Sequence, residues 1–157
     1  MIQRIQTIYL LLALACMACI FAFNIASFQD SNAVMYEIDL YKIHSITDEV
    51  TLDVQNGMPA VILITSAIGL LLFTVLQYRN RVRQTQFARM SYILILLSVA
   101  SMWWIINTNY WASTYAGYGF NYSVGFYLPF AAIAFTWLAN RSIKQDEDLV
   151  RSLDRLR

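Results

Sequence analysis

The sequence predicts an all-α membrane protein: a four-transmembrane-helix, up-down-up-down bundle. It adds a small periplasmic β-hairpin between helices 1 and 2 and a cytoplasmic C-terminal helical tail. Three observations predict this. The 157 residues are 59% hydrophobic and 13% charged, about half the charged share of a soluble domain. The apolar residues gather in four runs, each near the roughly 20 residues that cross a bilayer core. The basic residues keep to one side of those runs. The length fits a single domain.

The runs cover about residues 5–28, 59–78, 90–111 and 120–139, and none contains Asp, Glu, Lys, Arg or His. A buried helix of a soluble protein is rarely so long, or apolar on every side. The first run follows Arg4 and contains "LALAC", so a signal peptide with a lipoprotein Cys16 is conceivable. The run continues to Phe28, however, and a signal h-region is only about 7–15 residues. A retained first helix is expected.

Residues 29–58 form the one sizeable connection. "VMYEIDLYKIHSI" and "EVTLDVQN" alternate apolar and polar, the period-two mark of strands. "SITDE" between them supplies turn residues, hence the expected hairpin, which must pack on the helices because a hairpin alone is marginal. Asn56-Gly57 marks a turn, and Pro59 suits a helix start. "RNRVRQTQFAR" links the second and third runs, and "ASTYAGYGFNYS" the third and fourth. Trp103, Trp104, Tyr110, Trp111, Tyr115, Tyr118 and Tyr122 cluster near the latter and should form an interfacial aromatic belt. Pro129 removes a hydrogen bond inside the fourth helix and is expected to kink it.

With four crossings, Arg4, Arg79, Arg81, Arg83, Arg89, Arg141, Lys144, Arg151, Arg155 and Arg157 share one side. The other side carries Lys42 against Asp30, Glu37, Asp39, Asp48, Glu49 and Asp53. Both termini are therefore expected in the cytoplasm. Arg79, Arg81, Arg83 and Arg89 are candidates for anionic lipid headgroups, at ~1 kcal/mol each near the surface.

Chemistry-bearing constellations are sparse. Cys16 and Cys19 form C-x-x-C on one helix face. A redox role needs a polar or positive neighbourhood, and mid-span position favours two small apolar fillers. Ala15, Ala18, Ala22 and Ala26 beside Cys19 form a small-residue stripe, read as a helix-packing face turned inward. His44, the single histidine, cannot by itself make a zinc or iron site, and no calcium-loop spacing is present. Asn24, Ser66, Thr74, Gln77, Ser98, Ser101, Asn107 and Thr136 are expected to cap helices or bond between them. No ionisable group lies within a run, which disfavours ion-coupled transport. No phosphate loop, nucleophile elbow or metalloprotease motif occurs. No catalytic residue, cofactor or metal is expected, and nucleic acid binding would need a larger basic face.

The tail, residues 140–157, reads as an amphipathic helix. Leu149, Leu153 and Leu156 make one stripe, with Arg151, Asp154 and Arg155 beside it. Glu147 and Arg151 form an i,i+4 pair in the favourable order. Mixed signs suit a protein partner better than a lipid surface. Leu149, Arg151, Leu153, Asp154, Arg155 and Leu156 are the candidate partner-binding residues.

The opening "MIQRIQTIYLLLA", the central "YRNRVRQ", "GFYLP" and "LANRSIKQDEDLVRSLDRLR" together resemble the Bacteroidota membrane family described as domain of unknown function 4293, over essentially the whole chain. The resemblance implies a four-span inner-membrane protein of a Gram-negative bacterium and carries over no catalytic residue. The expected function is that of a non-enzymatic accessory or scaffold subunit. It would contact other inner-membrane proteins and anionic lipids through its tail or its periplasmic loop. The alternative is a passive carrier or sensor of a small apolar or lipid ligand, held between the aromatic belt and Pro129.

Overall fold

The protein, seen in a computed structural model, is described over residues 3–29, 34–46, 51–54, 57–77, 81–111 and 119–154. Helix α1 covers Gln3–Cys19 and tightens into a 3-10 turn over Ile20–Ala22. Strands β1 (Ala26–Gln29), β2 (Met35–Ile38), β3 (Lys42–Ser45) and β4 (Thr51–Asp53) follow, then helices α2 (Gly57–Leu76) and α3 (Arg81–Trp111). Strand β5 (Phe120–Tyr122) leads directly into α4 (Val124–Asp154).

The strands form one antiparallel sheet in the order β4-β3-β2-β1-β5. The fold is therefore mixed, four helices and a five-stranded sheet, and not an all-α bundle with a small hairpin. Two features of the sequence conceal the sheet. The first apolar run is not one helix to Phe28: "ASFQ" alternates buried and less buried positions, so the tail of the run is a strand. The stretch "VMYEIDLYKIHSI", read as one strand, folds back on itself at Asp39–Lys42, where the Asp39 amide donates to the Lys42 carbonyl at 2.9 Å. The turn residues are Leu40, 2% exposed, and Tyr41. Its central pair carries none of the Gly, Asn or Asp usual there, because Leu40 reaches into the core, and Asp39 at the first position is its one ordinary turn marker.

The register gives the sheet two distinct faces. Tyr122, Ala26, Ile38, Ile43 and Leu52 stand in line across all five strands; Ala26, Ile38 and Ile43 are buried. Phe28 stacks on Tyr36 in the next row, with ring centroids 5.2 Å apart.

The sheet caps one end of the helices, because the C-terminal end of α1 and the starts of α2 and α4 all join it. Gly125 donates to the Asn24 carbonyl and Ser123 to the Ile25 carbonyl, both at 3.0 Å. An aromatic chain, Phe120–Tyr122–Phe126–Phe130, runs from the sheet down α4 with centroid spacings of 5.0, 4.5 and 5.7 Å. Trp103 and Trp104 are exposed; Tyr115 and Tyr118 lie outside the described residues, as do the side chains of Tyr110 and Trp111.

Helix α1 packs on α4 and α2, and α3 packs on α2 and α4. The facing positions recur at three and four residues and are often small: Ala13, Ala60, Ala67, Ser91, Ser98, Ala132, Thr136 and Ala139 are fully buried. Small residues let helix backbones approach closely. The outward positions are large and apolar, including Ile8 and Leu11 on α1, Ile62 and Leu72 on α2, Ile93 and Leu97 on α3, and Phe130 and Trp137 on α4. Ala15, Ala18, Cys19 and Ala22 are exposed too, so the helical part of the stripe expected to pack inward faces out, while Ala26, its last member, falls on β1 and is buried. The inward face of α1 is Leu10, Ala13, Met17 and Ile20. Helix α4 runs on through Pro129 to Asp154.

Three helices, over Ile5–Ala22, Gly57–Leu76 and Arg83–Asn109, are long and apolar enough to cross a membrane. With their apolar outward faces they make this a membrane protein. The charge-free part of α4, residues 124–140, is only about 25 Å long at 1.5 Å per residue, against a core of ~30 Å. The first three residues of the expected fourth run went into β5.

A polar row and an adjoining crevice as the candidate functional site

The outward face of the sheet carries a second line, Asn121, Ser27, Glu37 and His44, with Thr51 next in the backbone register. Period-two alternation puts Glu37 on this face of β2 and His44 on this face of β3. The turn at Asp39–Lys42 makes them cross-strand partners. Glu37 accepts a hydrogen bond from Asn24 Nδ2. His44 Nε2 lies 3.3 Å from Asp39 Oδ2, with the two side chains 43% and 33% exposed. Burial pushes the Asp39 carboxyl above the ordinary carboxylate value; His44 opposes that rise and Glu37 adds to it.

Ser27 and His44 flank Glu37 on either side, two strand spacings or about 9.6 Å apart. That is too far for a base to take a proton from a nucleophile directly. Among the described residues no group of three His, Cys, Asp or Glu side chains is placed to hold a metal ion. Cys16 and Cys19 are free thiols, half-buried and exposed respectively.

Beside the row, a crevice of about 280 Å³ opens between the end of α1 and the β2–β3 turn. Ile20, Phe21 and Phe23 supply one apolar wall, and Leu40 and Tyr41 the other. Asp39, Lys42 and His44 supply the polar share. Phe21 and Tyr41 stack across it at 6.4 Å. Phe21 and Phe23 are exposed at the point where the apolar part of α1 ends. Lys42 stands opposite Asp53 in the β3–β4 register.

The remaining candidates lie elsewhere. Arg83 and Arg89 are exposed on the first turns of α3, at the end away from the sheet. Arg81 opens α3, and Arg79 lies outside the described residues. Leu149, Arg151, Leu153 and Asp154 fall on the last turns of α4, described there as backbone, and Arg155 and Leu156 lie outside the described residues. Asp30, Asp48 and Glu49 are also outside them.

Hydroxyl groups within the helices serve their own backbone. Thr74 donates to Leu70 O, Ser91 to Phe87 O, Ser98 to Ile95 O and Thr136 to Ala132 O, at 2.7–2.9 Å. Ser66 and Ser101 do likewise. This is the i−3/i−4 back-bonding of Ser and Thr in apolar helices, where caps or bonds between helices were expected. Sequence reasoning missed the crevice because its two walls meet only through the apolar turn. The signal available was the spacing of Glu37, Asp39, Lys42 and His44, which form two i,i+2 pairs around that turn.

Among known proteins, the family described as "Domain of unknown function (DUF4293)" matches residues 2–156. No curated protein matches the chain.

Proposed function

The chain belongs to the DUF4293 family, and we propose that it is a non-enzymatic accessory or scaffold subunit of a larger complex in a bacterial inner membrane. It crosses the membrane four times, with both termini in the cytoplasm. The observation that carries this reading is a double helical overhang at the end away from the sheet. Helices α3 and α4 each have 31 residues, or about 46 Å at 1.5 Å per residue, some 15 Å more than the bilayer core needs. The surplus of α3 is its start, with Arg83 and Arg89; the surplus of α4 is its end, with Arg141 and Lys144. The two helices pack together, and Gln84, Ala88 and Ile143 are buried in this part. A rigid two-helix projection is suited to holding a partner.

The fourth crossing is supported by the outward face of α4, where Val124, Tyr127, Phe130 and Trp137 are as exposed and apolar as their counterparts on α1 to α3. The Arg141 guanidinium lies 5.6 Å from the Trp137 ring centroid, an arrangement that lets a short span place its charge at the membrane surface. The cluster of basic residues at that end supports its cytoplasmic placement and contact with anionic headgroups. The back-bonded hydroxyl groups support a structural role for the helices.

Two experiments test this. A reporter fused after Arg157 should score cytoplasmic, and an external signal would remove the fourth crossing. Full-length protein extracted gently from its own membrane should co-purify with a stoichiometric membrane partner, lost on deleting Asp146–Arg157 while insertion persists. A monodisperse monomer across several mild detergents would overturn the subunit reading.

A further inference from the structure

The crevice beside the β2–β3 turn lies at the boundary between water and lipid. The apolar part of α1 ends at Ala22, and Phe21 and Phe23, 42% and 47% exposed, stand on either side of that end. Facing them are both signs of charge, Asp39 and Lys42, with His44 next to Asp39. A simple anion would meet Asp39, and a simple cation would meet Lys42. An apolar molecule would strip water from charged groups without replacing their hydrogen bonds, which is costly. A zwitterion carrying an apolar body satisfies every wall.

We propose that this crevice binds the headgroup of a zwitterionic phospholipid with a primary ammonium, phosphatidylethanolamine. The ammonium lies on Asp39 and the phosphodiester on Lys42. A primary ammonium donates charge-assisted hydrogen bonds to a carboxylate; a choline group has no N–H to donate. At about 280 Å³ the crevice falls just under the ~300 Å³ at which drug-sized sites begin. It has room for a headgroup, and the acyl chains must leave it. Phe21 and the exposed Ala18 one turn below it continue the apolar wall down α1, where the chains lie along the bilayer. This inference does not rest on the subunit reading, because it concerns the isolated chain.

The test is native mass spectrometry of the full chain in mild detergent, titrated with phosphatidylethanolamine, phosphatidylcholine and phosphatidylglycerol of matched acyl chains. One ethanolamine lipid should be retained at about tenfold lower concentration than the other two, the scale of one charged hydrogen bond. Asp39→Asn and Lys42→Gln should each erase that preference. Lys42→Arg, which keeps the charge at an exposed position, should preserve it and guards against a variant that merely misfolds. Gln86→Ala, exposed on α3 at the end away from the sheet, should leave it unchanged. Equal retention of the three lipids, or a preference that survives both charge-removing variants, overturns the proposal. Competition by glycerophosphoethanolamine at the concentration of the lipid would assign the site to a soluble zwitterion and overturn the lipid assignment.

Discussion

At the scale of single residues, two glycines hold the sheet to the helices. A Cβ on Gly125 would lie 2.6 Å from the Asn24 carbonyl oxygen and 2.8 Å from that of Phe23; one on Gly57 would lie 2.5 Å from the Leu40 carbonyl oxygen. These neighbours are backbone and cannot swing aside. Gly125→Ala should therefore lower the thermal midpoint in detergent, by the equivalent of about 1–3 kcal/mol for an overpacked site. Gly69 is the control. A Cβ there meets nothing within 4 Å, and alanine removes the entropic penalty of a helical glycine, about 0.5–1 kcal/mol, so Gly69→Ala should raise the midpoint.

Asp39 gives a pH signature at the same scale. Burial raises its carboxyl pKa in the folded state, so the native protein holds that proton more tightly than the unfolded chain. The contribution to stability is whole below the unfolded value and is lost as pH rises through the folded one. Asp39→Asn removes this loss. The variant should melt with the parent at about pH 3 and above it at pH 7, measured as midpoints across a pH series. A parent more stable than the variant at pH 7 would mean that the His44 contact outweighs burial.

At the scale of the element, α1 separates inward from outward positions sharply. Ala13 is fully buried, whereas Ala15 is exposed. Ala13→Leu should cost about 1–3 kcal/mol by forcing α1 off its neighbours. Ala15→Leu should change stability by less than about 0.5 kcal/mol, as for exposed sites generally. Thermal midpoints of the two variants decide between this geometry and the inward stripe suggested by small-residue spacing alone. That spacing misleads because alanines tolerate either side of a lipid-facing helix. The true packing face is marked by the burial of Leu10, Met17 and Ile20 on a helix that packs on α4 and α2.

At the scale of the whole molecule, the sheet and the helices share one buried core. Ile25, Ala26, Phe28, Ile38 and Leu40 cluster with Leu10, Met17, Ile64, Met102 and Ala132. Ile38, on the central strand β2, is fully buried, so Ile38→Ala should cost about 2–5 kcal/mol. Because the core is shared, it should lower a single unfolding transition. A separate early transition, seen by sheet and helix probes in parallel, would show that the sheet folds independently of the helices.

The sequence by itself determined that the protein belongs in a membrane, that three of its helices are long and apolar enough to cross one, and which segments carry the basic residues. Length, charge and hydropathy are summed along the chain, so those properties need no tertiary contact. It also determined that residues 34–53 contain strands, because alternation is local. Only the tertiary structure decided that five strands from three separate segments make one sheet. Pairing β1 with β5 brings together residues some ninety positions apart, and no window along the chain holds both. It decided too that "DLYK" is a turn: Asp39 is its one marker, and its central pair is the buried Leu40 and the half-exposed Tyr41, where Gly, Asn or Asp would have signalled it. The crevice follows from that turn: Phe21 and Tyr41 become neighbours only when the sheet folds back onto the end of α1.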